Sequence, residues 1–335
     1  MNNKTKARPE AKQSDEHNLS LAKKAEVEEL GNVAGKKKAK TIPAADEQYL
    51  RIVKRILDEG EWKENRTGVR TLTIAGAAFE HDMANGFPLL TTKKMGFKSI
   101  ASELEFFIKG ITDKKWLQER GNHIWDEWAS PKLVPYGHSD ETKRRMVEER
   151  DLGPVYGFQW RHFNAPYKGH DADYTSQGVD QLANLIQTLK KNPNDRRMIV
   201  SAWNPQQIGE MALPPCHYGF QTTVINDKLN LLWNQRSVDT MLGLPYNIAS
   251  YALLLHLLAK ETGLKEGKLW GFLGDVHIYE NHLKGAKEQL SRDPRAFAQP
   301  TIETNNFPGL FGWKCTDTSI KNYKSFDKIE FEIAV

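Results

Sequence analysis

Residues 248–262, IASYALLLHLLAKET, are apolar on nearly every side of a helix, so the fold has to be built around this segment. Such a helix is stable only when other elements cover it, and Gly263 directly after it supplies a cap. The remaining helices are predicted from one-sided patterns. Tyr49, Ile52, Val53, Ile56 and Leu57 recur at helical spacing before Gly60, and Ile100, Leu104, Phe107 and Ile108 do so before Gly110. Val179, Leu182, Leu185, Ile186 and Leu189 mark a third helix, ended by the Asn192-Pro193-Asn194-Asp195 turn. Strands are predicted at residues 198–203, in a hairpin of 220–225 and 229–233 around Asn226-Asp227, and along residues 274–279. Ile329, Phe331 and Ile333 alternate, which predicts a last strand at the C-terminus. Helices and strands are mixed without a regular βαβ rhythm, so the expected class is α+β with a largely antiparallel or mixed sheet, not a Rossmann fold.

Composition narrows the function classes. No run of the chain reaches eighteen apolar residues, and MNNKTKARPE has no apolar h-region, so neither a membrane span nor a secretory or transit segment is predicted. The two cysteines, Cys216 and Cys315, lie far apart, which is no disulfide framework and fits a reducing compartment, by default the cytoplasm. Of 47 basic and 43 acidic residues, the first 45 positions hold ten and six, leaving 37 of each for the rest. The basic character therefore belongs to the N-terminal segment, and no nucleic-acid-binding surface is predicted on the body. Residues 1–45 contain no aromatic residue and few large aliphatic ones, too little to offset the entropy of ordering, and read as a disordered basic tail. The folded catalytic domain is expected to span residues 46–335. The lysines of Lys36-Lys37-Lys38-Ala39-Lys40 read as part of the solvated tail ahead of a polyanion address.

Chemistry concentrates in a few short motifs. In Pro214-Pro215-Cys216-His217 two prolines fix the backbone before a cysteine that nearby positive charge could activate. A single cysteine is more often a small buried hydrophobe, so the motif needs company. Arg66-Thr67-Gly68, Arg196-Arg197 and Gln235-Arg236-Ser237 supply three arginine sites suited to a phosphate held by guanidinium pairs. Asn247, before the buried helix, reads as an N-cap, or as an amide complementary to the O4 and N3–H of a uracil ring. Asp275, His277 and Tyr279 share one face of a strand, either a solvated side or a grip on a sugar hydroxyl. Tryptophans among acids in Ile124-Trp125-Asp126-Glu127-Trp128, and the aromatics of Val155-Tyr156-Gly157-Phe158-Gln159-Trp160, are core edges or stacking walls for a flat heterocycle.

These motifs, together with Asn65-Arg66-Thr67-Gly68, Phe87-Pro88-Leu89-Leu90-Thr91-Thr92-Lys93, Gly153-Pro154-Val155-Tyr156-Gly157, Asp195-Arg196-Arg197, Gly243-Leu244-Pro245-Tyr246-Asn247 and Gly274-Asp275-Val276-His277-Ile278-Tyr279, stand in an order that resembles the thymidylate synthase family from about Asp46 to Val335. The resemblance implies an α+β thymidylate synthase-like fold with a large mixed sheet packed with helices, assembled as a homodimer across the sheet. It implies that Cys216 adds to C6 of dUMP and that 5,10-methylenetetrahydrofolate, as co-substrate, supplies the methylene and the hydride, with no metal. Arg66, Arg236 and Ser237, joined by Arg196 and Arg197 of the neighbouring chain, would hold the phosphate. Asn247 would read the uracil, His277 and Tyr279 would hold the deoxyribose, and Gln235 and Asp239 would also bind dUMP. Glu103, Tyr156 and His217 would move protons. Lys93, Trp125, Trp128, Asp239, Gly243 and Val335 would bind folate, with Ala334-Val335 closing over it.

The sequence departs from the family pattern in places. Asn65 stands where an aspartate is common, Arg70 where a small residue is common, Asn234 where a tyrosine is frequent and Tyr246 where phenylalanine is usual, while residues 297–319 follow no family pattern. The nearest rival activity is a dUMP hydroxymethylase, in which water and not hydride traps the exocyclic methylene. Asn247 argues against a dCMP substrate. A pure binding role, with the tail recruiting nucleic acid, sits poorly with an intact Cys216, Glu103 and arginine set and with the body's charge balance.

Overall fold

The protein is described here by a computed structural model covering residues 44–333. The disordered-tail reading therefore lies outside the described residues, save that Ala44 and Ala45 already belong to the folded part. Ala45 opens helix α1 (Ala45–Glu59) and is fully buried. The Glu47 carboxylate accepts the Ala44 N–H at 3.0 Å. Gly60 ends the helix by close approach, since a Cβ there would lie 2.4 Å from the Ile56 carbonyl oxygen. Asp46 is buried within the first turn and accepts the backbone N–H groups of Thr91 and Thr92, each at 2.9 Å, together with both hydroxyls. One carboxylate thus fastens the start of the domain to the Phe87-to-Lys93 motif.

The sheet has the order β1-β2-β6-β5-β4-β3, formed by β1 (Glu61–Lys63), β2 (Thr71–Asp82), β3 (Ile199–Ser201), β4 (His217–Ile225), β5 (Lys228–Asp239) and β6 (Lys265–Tyr279). β5 and β6 run parallel, and the other neighbouring pairs are antiparallel. A parallel pair of consecutive strands needs a crossover. The crossover is the apolar helix of the sequence, which begins at Gly243 and ends at Thr262, with Gly263 left-handed at φ 70°. Its leucines Leu253, Leu254, Leu255, Leu257 and Leu258 are all completely buried, and Trp233 of β5 stacks on Tyr251 with ring centroids 5.5 Å apart. Trp233 also lies over Gly271, where a Cβ would come within 2.4 Å of its ring. The β4–β5 hairpin turns at Asn226 and Asp227, both at positive φ as a two-residue hairpin requires.

The other helices are α2 (Phe97–Ile108), α3 (Lys115–Gln118), α4 (Asp140–Glu148), α5 (Gly157–His162) and α6 (Gln181–Lys191), then the crossover helix α7 (Gly243–Thr262) and α8 (Leu283–Leu290). Three expectations are corrected. Val179 precedes α6 instead of joining it. It bridges Phe163, while the Asp180 carboxylate caps the helix through the Ala183 N–H at 2.9 Å. Asn247 is not the N-cap of α7, because the helix starts four residues earlier and Asp239 accepts the N–H groups of Met241 and Leu242 at 3.1 Å. Residues 329–333 form no strand. They lie against α8, where His282 Nε2 is 2.7 Å from the Glu332 carbonyl oxygen and the Phe331 ring is 5.0 Å from that of His282. The alternation there serves side-chain packing with no strand edge beside it. Unforeseen are β1, β2, the 265–273 part of β6 and the small hairpin of β7 (Thr301–Thr304) with β8 (Thr318–Lys321).

Because α7 is enclosed, truncating its core is costly. Leu254→Ala is expected to lose about 3 kcal/mol, transfer and cavity terms together. Urea melting of the purified protein measures this, and a loss under about 1 kcal/mol would show that α7 is not the closed centre of the core.

Candidate active site

In the parallel register Ser237 pairs with Asp275 and Asp239 with His277, so the carboxyl ends of β5 and β6 present their polar residues side by side. Beside them opens a cavity of about 1060 Å³ that also takes in α2 through Glu103, the Trp125–Trp128 turn, the Arg66 loop and the residues before β4. Arg66, Glu103, Trp125, Trp128, Tyr156, Cys216, His217, Gln235, Arg236, Ser237, Asp239, Gly243, Asn247, His277 and Tyr279 all line it. Residues named from dispersed motifs thus converge on one chamber.

Cys216 sits just before β4, next to a break in the strand register between His217 and Gly219. Its N–H donates to the Tyr156 hydroxyl at 2.8 Å and its carbonyl accepts the Arg236 N–H at 2.8 Å. The Arg236 guanidinium donates to the carbonyls of Pro214 and Pro215, at 2.7 and 3.0 Å. Burial pushes the Cys216 thiol up, and Arg236 and Arg66 pull it only partly back. The expectation that these arginines favour a thiolate holds in direction, but burial outweighs them.

Burial also tunes the neighbouring acids and bases. Glu103 accepts the Trp125 indole N–H at 2.8 Å, and loss of solvent pushes its carboxyl up to about 7. His217 lies 2.9 Å from the Tyr251 hydroxyl through Nδ1, and burial pushes it down to about 3, so the imidazole is neutral at physiological pH. Tyr156 stacks on Phe107 at 4.9 Å and lies 4.4 Å from the His217 ring. Its backbone φ of 21° is a strained conformation for a non-glycine residue, of the kind that clusters at functional sites.

The polar clamps are prearranged. Gln235 donates from Nε2 to Asn247 Oδ1 at 3.0 Å and to the Ser237 carbonyl at 3.1 Å, while its own Oε1 accepts the Trp233 indole N–H at 3.1 Å. This fixes which edge of the Asn247 amide faces the cavity. His277 Nδ1 is 2.9 Å from Asp275 Oδ1, and that bond, with Lys63 on the other oxygen, holds Asp275 down near about 2. Tyr279 lies beside His277 with its hydroxyl pushed up to about 12 by burial. Arg66 projects from a turn tied by Asn65, whose Oδ1 accepts the Thr67 N–H at 2.9 Å and whose Nδ2 donates to the Val69 carbonyl at 2.8 Å. The second bond needs an amide, which accounts for asparagine at this position. Arg70 pairs with Glu280 at 2.5 Å and packs over Trp62, which accounts for its size.

Two of the named groups, the arginine pair and Lys93, are not brought into the cavity. Arg196 and Arg197 are exposed ahead of β3, with Arg197 on Asp195 at 3.0 Å. Lys93 is buried elsewhere, its ammonium on the Met241 carbonyl and over the Phe331 ring at 4.8 Å. Val335 and Ala334 lie outside the described residues. Conversely, Tyr136 lines the cavity with the Arg66 guanidinium 4.9 Å over its ring, a role no periodicity in its loop announces. Tyr246 and Trp203 line it as well. Among the described residues no cluster of three or more His, Cys, Asp or Glu side chains could hold a metal ion, and no helix is long and apolar enough to cross a membrane.

Residues 47–335 match the family model described as thymidylate synthase. The chain is 49% identical over 258 residues to a thymidylate synthase of Ascaris suum, covering 77% of this chain and 85% of the relative. It is 45% identical over 293 residues to a thymidylate synthase of Homo sapiens, covering 88% and 92% respectively. It is also 45% identical over 290 residues to a bifunctional dihydrofolate reductase-thymidylate synthase of Paramecium tetraurelia, covering 87% of this chain but only 61% of that longer protein. The chain belongs to the thymidylate synthase family.

With no substrate bound, alkylation of Cys216 by iodoacetamide should follow a thiol titrating above the ordinary value of about 8.5. Removing one stabilising charge, in Arg236→Met, should move that midpoint higher still. Mass spectrometry of the Cys216 peptide across pH reads both, and a midpoint below about 8 would mean that the guanidinium field outweighs burial.

Proposed function

We infer from family membership and from the chemistry of the cavity that this chain is a thymidylate synthase, a methyltransferase that converts dUMP to dTMP with 5,10-methylenetetrahydrofolate as co-substrate. The observation that carries the reading is the meeting, in one chamber, of the Cys216 thiol, a carboxyl poised near neutrality at Glu103 and the Gln235–Asn247 amide pair.

Cys216 attacks C6 of the uracil ring as thiolate, and the electrons displaced onto C5 and O4 make C5 a carbon nucleophile. The folate supplies a one-carbon unit at C5 and then a hydride, leaving as dihydrofolate. Between these events the C5 proton must depart, and the sulfur must finally leave C6 to restore the ring double bond. Glu103 handles proton traffic because its carboxyl titrates near working pH, where an acid–base group is most effective. Neutral His217, with Tyr156 and Tyr251, supplies hydrogen bonds without a competing charge. Asn247 offers its N–H2 edge to O4 and a remaining Oδ1 lone pair to N3–H, its orientation set by Gln235. His277, with Nδ1 spent on Asp275, keeps Nε2 for a sugar hydroxyl, beside Tyr279. Arg66, Arg236 and Ser237 hold the phosphate. Trp125, Trp128, Asp239 and Gly243 form the folate wall, which keeps water from the hydride step.

A homodimer completes this picture. Ile199 is 57% exposed and Phe272 46% exposed on the sheet, and Phe272 stacks with Trp270 at 6.2 Å, an apolar surface of the kind a second copy covers. Arg196 and Arg197, exposed next to β3, are available to reach a neighbour's phosphate site. The free thiols of Cys216 and Cys315 fit a cytoplasmic setting. The comparisons lend no support to the hydroxymethylase alternative, since the relatives named above are synthases.

Incubation with dUMP and 5,10-methylenetetrahydrofolate should yield dTMP and dihydrofolate by mass spectrometry, with both lost in Cys216→Ala. Hydroxymethyl-dUMP with tetrahydrofolate would transfer the reading to the hydroxymethylase. Glu103→Gln should lower kcat by about 10² to 10⁴, the usual worth of a positioned acid–base group. As a base Glu103 works ionised, so wild-type kcat/KM should fall as pH drops through about 7, and this limb should vanish in Glu103→Gln. A limb that persists in the variant assigns the titration to another group.

A further inference from the structure

Lys114 stands just before α3 and is 1% exposed, yet among the described residues its ammonium has no carboxylate in direct contact. Nζ donates to the carbonyl oxygens of Asp126 at 2.7 Å, Trp128 at 2.8 Å and Met146 at 2.6 Å, one acceptor for each of its three N–H bonds. The acceptors come from two separate segments. Asp126 and Trp128 belong to the turn that presents the tryptophan wall, and Met146 belongs to α4. Trp128 and Met146 both line the cavity. Met146 packs with Ala129 and Val134 in a small core of their own, separate from the main one. The segment that roofs the cavity is therefore pinned through this ammonium.

Burial pushes Lys114 down to about 8, countered by Asp126 and Glu149. The Asp126 carboxylate is itself engaged by Gln118 and His123, each at 2.9 Å. A buried charge is a poor choice for stability alone, because an apolar side chain of similar volume packs at lower cost. What three directed N–H bonds supply is a fixed geometry between the turn and α4.

We propose that Lys114 is a positioning residue for the co-substrate wall: its ammonium sets Trp128 and the Met146 roof at the spacing that admits the folate. This rests on the folate role inferred for that wall. Arg66 is carried by a turn tied through Asn65 and meets the pinned segment only where its guanidinium lies over the rings of Trp128, at 5.7 Å, and Tyr136, so the main anchor of the nucleotide side lies outside that segment.

Full-length wild type, Lys114→Met and Lys114→Gln are compared for folate KM, kcat and calorimetric dUMP binding in the absence of folate. Methionine keeps the volume and removes the donor from three carbonyls, that of Met146 in a buried bond, while glutamine keeps one N–H2 group. The folate KM should rise about tenfold in Lys114→Met and less in Lys114→Gln, with dUMP affinity within about threefold of wild type and a smaller change in kcat. An unchanged folate KM in both variants, equal losses for both substrates, or loss of fold in both variants overturns the assignment. Wild-type protein that binds no folate sinks the functional reading instead, which separates the two failures.

Discussion

The site depends on one parallel strand pairing. β5 and β6 are joined by the enclosed helix α7, and their register sets Ser237 against Asp275 and Asp239 against His277. Were these strands antiparallel neighbours, the Gln235-to-Asp239 and Asp275-to-Tyr279 segments would point to opposite ends of the sheet. The leucine-rich helix is thus a requirement of the chemistry as well as the centre of the core. A crossover of its length must lie against the sheet, and lying there it has to be apolar on almost every side. The same arrangement brings Asn247, in its second turn, to the cavity, while Asp239 closes its first.

Exclusion of water then sets the protonation states. Glu103 rises to about 7, His217 falls to about 3 and the Cys216 thiol also rises, all with burial as the leading cause. One physical agent acting on three kinds of group yields an acid–base carboxyl, a neutral imidazole and a thiol held in reserve. The arginines near the cysteine have structural work too, since Arg236 grips the carbonyls of Pro214 and Pro215. Placement of Cys216 and part of the positive charge beside it are consequently the business of a single side chain.

Sequence patterns named most of the residues that line the cavity and missed much of the sheet. Cys216, the Gln235-Arg236-Ser237 run and the alternating Asp275, His277 and Tyr279 were legible because local motifs bear chemical types at fixed spacing. The helices α1, α2 and α7 were legible because periodicity dictates burial. Strand β2 was not, since Gly76 and its alanine neighbours give it little hydrophobic alternation, and its pairing with β6 is what defines it. Residues 329–333 mislead in the opposite way: they alternate, but the partner that makes a strand is absent from their surroundings. The Lys93 ammonium was aimed at the ligand by motif alone, whereas depth in the fold sends it to the Met241 carbonyl. Pairing and depth are properties of the assembled chain, which no window of residues contains.

Asn65 has an effect beyond the turn it stitches. An aspartate, common at this place in proteins the chain resembles, could accept the Thr67 N–H equally well, but its charge would sit one residue from the Arg66 guanidinium. The amide does that work, adds the bond to the Val69 carbonyl that a carboxylate cannot donate, and leaves that guanidinium uncompensated by its neighbour. A dianionic ligand diffusing toward the mouth of the cavity meets a stronger attractive field there, and one more sensitive to dissolved salt. An asparagine here would thus act on the speed of encounter, while the bonds that fix the turn remain those of the amide.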